Sequence, residues 1–131
     1  DYWNEHGLTS EGFEVYEDWK QDFVVLGDHL TVSHGEFLNV HTAKKHIDTY
    51  RKSCIFGHTH RVQSFLEGQT GGYNIGSMAD FNSSVFNYAT RAMKLSWNNA
   101  FGIVNIDENG LYHVQTIMWY GDRFYVGNRK Y

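Results

Sequence analysis

Between residues 23 and 33 the chain reads "FVVLGDHLTVS": an apolar run, a Gly-Asp pair, then a run in which apolar and polar residues alternate. Two such runs across a two-residue break predict a hairpin, with strands over 23–26 and 29–33 and the turn at Gly27-Asp28. His34-Gly35 stands at the exit of the second strand. Over 42–51, "TAKKHIDTYR", the period changes. Ala43, Ile47 and Tyr50 recur at spacings of four and three, which predicts an amphipathic helix with those three on one face. His46 falls beside Lys44 and Lys45 on the polar face and is expected to be solvated. "SCIF", 53–56, is a short apolar strand that runs into the loop 57–61, "GHTHR". Alternation predicts a strand over 62–67, then a turn at "GQTGG" and a short strand over 73–76.

Residues 77–99 show no regular period. The tail alternates over 100–107, 111–120 and 123–127, about turns at 108–110 and Gly121-Asp122, and predicts a β-meander. Upstream, residues 1–7 read as the end of a helix stopped by Gly7, and 13–15 as part of a short half-buried strand. The order strand, loop, helix, strand between 29 and 56 fits a crossover that returns to a parallel neighbour, so the fold class is α/β with a mixed sheet. Without an internal repeat or a linker-like change in composition, residues 1–131 are read as a single unit.

Composition narrows the function. Hydrophobic residues are 41% and aromatics 17%, ample for a packed core. The net charge of −4 argues against coating duplex DNA, which needs a Lys/Arg surplus, but leaves room for a nucleotide or a strand end at a local site. The single cysteine, Cys54, excludes an internal disulfide framework and suits a reducing, cytoplasmic compartment. It is expected to be a small buried hydrophobe. No apolar run approaches the length of a membrane span. The chain opens at Asp1 rather than methionine and is expected to be a fragment, a processed product or a trimmed piece.

Candidate chemistry concentrates at two strand exits. Loops at the carboxyl ends of strands are where open α/β sheets bind ligands. In an extended loop His58 and His60 point the same way, and Gly57 eases the turn before them. A parallel neighbour strand would bring His34 to the same rim. His34-Gly35 followed, after a helix, by Gly57-His58-Thr59-His60 resembles the carboxyl-terminal half of the calcineurin-like metallophosphoesterase signature, of the phage and bacterial type. The stretch "SWNNAFGIVNID" and the tail resemble the end of such proteins, so the likeness covers most of the chain from about residue 23.

The resemblance implies the carboxyl-terminal half of an α-β-β-α sandwich, with the meander covering one edge of the sheet. It implies two divalent metals, Mn²⁺ first, with Fe, Zn²⁺ or Ni²⁺ as alternatives. His34 and His58 would bind one metal and His60 the other. The reaction implied is hydrolysis of a phosphomonoester or phosphodiester, of a nucleotide or of a nucleic-acid end, by metal-activated water. The upstream motifs D-x-H, G-D-x-x-D and G-N-H-[D/E] do not occur in these 131 residues. The acidic ligands and the catalytic acid are therefore expected from an upstream half, in cis or as a separate chain, and this chain alone is expected to be inactive. A phage origin would place it in the host cytoplasm. The alternative is a protein-binding scaffold on the same fold with a degenerate metal site. A further option, independent of the resemblance, is a single zinc held by the three histidines.

Other residues carry weaker signals. Arg61 can grip a phosphate or pair with Glu67 or Asp80. His41 can reach a substrate, although a structural role is the plainer reading. Asn74, Asp80 and Asn82 either shape the pocket or order its loop, and Arg91 and Lys94 read as a solvated face. His29 reads as a surface strand residue, and His6 and His113 as structural. The unpaired sheet edge left by a missing half would invite self-association or a partner chain.

Overall fold

Pairing of short β-branched and aliphatic runs builds the framework. A computed structural model describes residues 12, 16 and 18–131. The expectations for residues 1–7 and 13–15 lie outside them. The fold is mixed α/β. Its sheet has five strands: β1 (Val24–Leu26), β2 (Leu30–Val32), β3 (Ser53–Phe56), β4 (Val62–Glu67) and β5 (Thr70–Ile75). They lie in the order β1-β2-β3-β5-β4. β1 and β2 form the predicted antiparallel hairpin, with Leu26 opposite Leu30, but the turn takes three residues, 27–29, so His29 lies in the turn and not in the strand. β2 and β3 run parallel, as the crossover predicts, with Val32 beside Ile55. β3 and β5 are also parallel, and β4 folds back antiparallel on β5. β5 begins earlier than the sequence suggests, because Gly71 and Gly72 pair as strand residues with Leu66 and Phe65.

The crossover helix α1 (Thr42–Tyr50) buries Ala43 and Ile47. With Cys54 and Phe56 of β3, Ala43 forms the core on this face, and Phe65 packs against it. Helix and sheet approach closely at Gly72, where an added Cβ would lie 2.6 Å from the Ala43 carbonyl oxygen. His41 gives the helix no side-chain cap. Instead Gln63 on β4 accepts the Ala43 N–H at 2.9 Å and donates to the Val40 carbonyl at 2.8 Å. This satisfies an otherwise orphaned N-terminal donor. The helix ends where Arg51 turns left-handed, its N–H bonded to Ile47 O at 2.8 Å.

Two expectations on this helix are corrected. His46 is buried, and Tyr50 is half exposed. His46 stacks on Phe56 with ring centroids 3.8 Å apart, bonds Thr42 O through Nδ1 at 2.8 Å, and accepts the Glu36 N–H at Nε2. Every polar atom of the ring has a partner, so burial carries no unpaired group. Phe37 and Tyr50 meet at the outer side of this ring instead.

The tail also departs from expectation. β6 (Ala100–Ile106) pairs with β7 (Tyr112–Met118), but β8 (Tyr125–Val126) pairs with β9 (Arg129–Lys130). Among the described residues one bridge, Tyr120 to Arg123, joins the two hairpins as a ladder, so the tail is no continuous meander. Nor does β6–β7 cover an edge. It lies on the sheet face opposite α1, with Gly102 against Ile75 and Tyr112 bonded to Ser53. Residues 77–99 contain a 3-10 turn at Ser84–Phe86 and a short helix α2 (Arg91–Leu95) capped by Thr90. No described helix is long and apolar enough to cross a membrane.

Gly72→Ala is expected to lower unfolding stability by about 1–3 kcal/mol, because the clash is with backbone rather than a movable side chain. Gly57→Ala, whose Cβ would meet only Gly76 O at 3.6 Å, should cost about 0.5 kcal/mol or less. Urea midpoints at constant slope compare the two, and equal losses would contradict this account of the helix–sheet contact.

Candidate functional site

The parallel ladder of β2 and β3 does not stop at its named ends. Ser33 N–H bonds Ile55 O at 3.0 Å, and Gly57 N–H bonds His34 O at 3.1 Å. The two strands therefore finish side by side, with His34 past one and His58 past the other. Their imidazole rings meet with centroids 4.7 Å apart and planes tilted by 58°. Gly35, at φ +90°, lets the chain leave the strand beneath Phe56, where a Cβ would sit 2.9 Å from Phe56 Cδ2. His34 Nδ1–H donates to Gly35 O at 2.9 Å. In the neutral ring this bond leaves Nε2 with its lone pair.

The loop 57–61 is not extended. Positive φ falls on His58 (60°) and His60 (57°), and not on Gly57. Thr59 N–H bonds Gly57 O at 2.7 Å, closing a three-residue turn about His58. An i to i+2 bond across a positive φ has the character of the strained γ-turn. Two non-glycine residues in the left-handed region cost on the order of 1–2 kcal/mol each. The surroundings hold them there. Buried Asn74, on β5, donates through Nδ2 to the Thr59 hydroxyl. Asn98 N–H bonds His60 O at 2.7 Å, and Asn98 Oδ1 accepts Val62 N–H at 2.9 Å.

Because the loop coils, the residue-by-two rule fails, and His60 leaves the pair. Its ring sits among Trp97 (4.6 Å), Phe86 (5.5 Å) and Phe81 (5.8 Å). Its Nδ1 is buried without a hydrogen-bond partner. Among the described residues, no group of three His, Cys, Asp or Glu is placed to hold a metal ion. His34 and His58 thus offer two imidazoles toward one ion, and the described residues do not complete a ligand shell. Burial depresses the His58 imidazole below its ordinary value, reinforced by His34, His60 and His46. Burial, then His34, does the same to His60. Both are held toward the neutral form, the form that binds a metal.

Arg61 meets neither Glu67 nor Asp80. Its guanidinium donates to Leu38 O at 3.2 Å and Asn39 O at 3.0 Å, tying that loop beside the site. His41 is exposed at the start of α1. Asn74 orders the loop, the second of the roles open to it, while Asp80 accepts the Asn82 N–H in a local turn. Lys94 is not freely solvated, since its ammonium donates to Phe81 O at 3.0 Å. Cys54 is buried, with its thiol pushed up to about 11 by desolvation, and His29 and His113 are exposed.

Sequence reasoning missed Trp19, whose ring lies 4.6 Å from His34 and 6.3 Å from His58. No periodic signal marks it. It also missed the aromatic box around His60, which is assembled from residues 21 to 37 positions downstream.

No protein-family profile matches the chain, and no curated protein matches it. Among solved structures it is similar to a single-mutant Vps29 from Entamoeba histolytica, at 12% identity and a TM-score of 0.44, over 82% of this chain and 67% of that one.

Buried His46 and half-buried His58 and His60 make stability acid-sensitive. His46, like His58 and His60, is depressed from about 6.5, chiefly by desolvation. The unfolded chain takes up these protons near pH 6.5 and the folded chain only below it. Their contribution is therefore complete above that pH and is lost as pH falls through the folded values. Urea unfolding between pH 7.5 and 5 should show this decline, and His46→Gln should make it shallower. An unchanged slope would show that His46 is not buried neutral.

Proposed function

We propose that this chain supplies the imidazole side of the metal centre of a calcineurin-like metallophosphoesterase of phage or bacterial type. What supports the reading is one observation: His34 and His58 leave adjacent parallel strands with their rings 4.7 Å apart. Two imidazoles at strand carboxyl ends suit a first-row divalent ion such as Mn²⁺, Fe, Zn²⁺ or Ni²⁺. Such ions, when bound, stabilise charge on phosphoryl oxygens and acidify coordinated water. His34 would bind through Nε2, its Nδ1 being engaged by Gly35 O. His58 is presented by the strained turn that Thr59 and Asn74 brace. His60 joins a second ion only by turning out of its aromatic box.

The acidic ligands come from an upstream segment, in cis or as another chain, lying against the outer edge of β1. That edge pairs with no described strand and is also the place for self-association. The substrate is a phosphate ester, with Arg61 and His41 beside it. Arg61 can turn to a phosphate by giving up its two bonds to the 38–39 loop. The compartment is cytoplasmic, in keeping with a lone buried thiol. One observation favours the second reading, a non-catalytic scaffold: the ring of His60 is spent on packing with Trp97, Phe86 and Phe81.

Titration with Mn²⁺, followed by paramagnetic broadening of histidine ring signals, separates the two. The metal reading expects selective broadening at His34 and His58, lost in His58→Ala. With the upstream acidic segment joined, the protein should hydrolyse bis(p-nitrophenyl) phosphate. The same substitution should then cost at least about 100-fold in kcat. Absence of broadening at His34 and His58 at millimolar Mn²⁺ would discard the enzyme reading for the scaffold.

A further inference from the structure

A second concavity lies at the end of the sheet remote from the histidines, where the parallel strands begin. It is a groove of about 830 Å³ ringed by the β1–β2, β4–β5 and β6–β7 turns and by the segment joining α1 to β3. That volume is within the range of about 300–1,000 Å³ usual for small-molecule sites. Its lining combines two kinds of chemistry.

The first is positive charge. Arg51 and Lys52 line the groove beside His29, and Asp28 is the acid among the lining residues. Asp28 packs against the β6–β7 turn, close enough that a Cβ on Gly110 would lie 2.6 Å from its Oδ2. Neither Arg51 nor Lys52 makes a side-chain hydrogen bond or ion pair among the described residues. Arg51 feels Asp48, but that carboxylate is already held by Lys44 at 2.6 Å. A cation after a helix end also complements the helix dipole. That role requires neither His29 nor the groove.

The second is aromatic surface. Tyr73 and Tyr112 stand at right angles with centroids 6.5 Å apart and form a wall of the same groove. The Tyr112 hydroxyl is fixed by Ser53 Oγ, so its ring is held in place. Rigid tyrosine faces accept planar rings by stacking, and a guanidinium beside an ammonium accepts a phosphate.

We propose that this groove binds a phosphorylated small molecule carrying a planar ring, of the nucleotide class. The phosphate rests on Arg51 and Lys52 and the ring lies against Tyr73 and Tyr112. The site is separate from His34 and His58 and does not rest on the metal reading.

Calorimetric titration of AMP, and separately of inorganic phosphate, into the protein in EDTA tests this without metal-mediated binding. AMP is expected to bind 1:1 with Kd on the order of 0.1–1 mM. Lys52→Glu and Arg51→Gln should each weaken it by about tenfold. Lys130→Glu, the same charge change as Lys52→Glu placed on β9, should leave it unaltered. Amide shifts on binding should fall in 51–53 and 68–73. Absence of AMP binding at several millimolar, shifts confined to 57–61, or indifference to both groove substitutions would each overturn the proposal. Phosphate binding as tightly as AMP would overturn the role of the tyrosines. The two groove variants keep the test sound if Arg51→Gln alone disturbs the helix end.

Discussion

The parallel pairing of β2 with β3, carried past their ends to His34 and Gly57, is the constraint on which the rest depends. Because Gly57 N–H reaches His34 O, the two strand exits are locked in register. That register alone brings together histidines 24 positions apart in sequence. It also requires α1 to cross over the sheet, and the crossover buries Ala43, Ile47 and His46 against β3 and β5. Gly72 and Gly35 are two places where this packing is tight, against α1 and Phe56 respectively. A larger residue at either would force helix from sheet or strand exit from core.

The loop after β3 carries the cost of that arrangement. His58 and His60 both sit at positive φ, and a network of neutral hydrogen bonds from Asn74 and Asn98 keeps them there. Strain of this kind persists only where the surroundings over-determine it, and it gathers at sites that bind or switch. The same coiling that presents His58 turns His60 into the Trp97–Phe86–Phe81 box. Local geometry thus divides two residues that a simple alternation rule would place together.

The two ends of the sheet differ in character. The carboxyl ends hold the His34 and His58 imidazoles beside the Trp19 indole. The amino ends gather Arg51, Lys52, Tyr73 and Tyr112 around one groove. The β6–β7 hairpin contributes only to the second, by laying Tyr112 over Ser53 on the face opposite α1.

Periodicity was enough to determine most of the sheet and helix boundaries, since β-branched alternation and a helical stripe are local properties of the chain. The strand at 53–56, the helix at 42–50 and the existence of the hairpin at 24–32, though not the length of its turn, were legible for that reason, and the two Gly-His pairs marked the strand exits. Tertiary structure decided the rest. His46 looked solvated beside Lys44 and Lys45, but the Glu36 N–H and Phe56 lie where only the crossover can bring them. The tail alternates throughout, yet alternation does not choose a partner strand, and β8 found β9. The φ values of His58 and His60, the box around one and the indole over the other all depend on residues distant in sequence. No local pattern encodes them, because their energy comes from contacts that exist only once the chain has closed on itself.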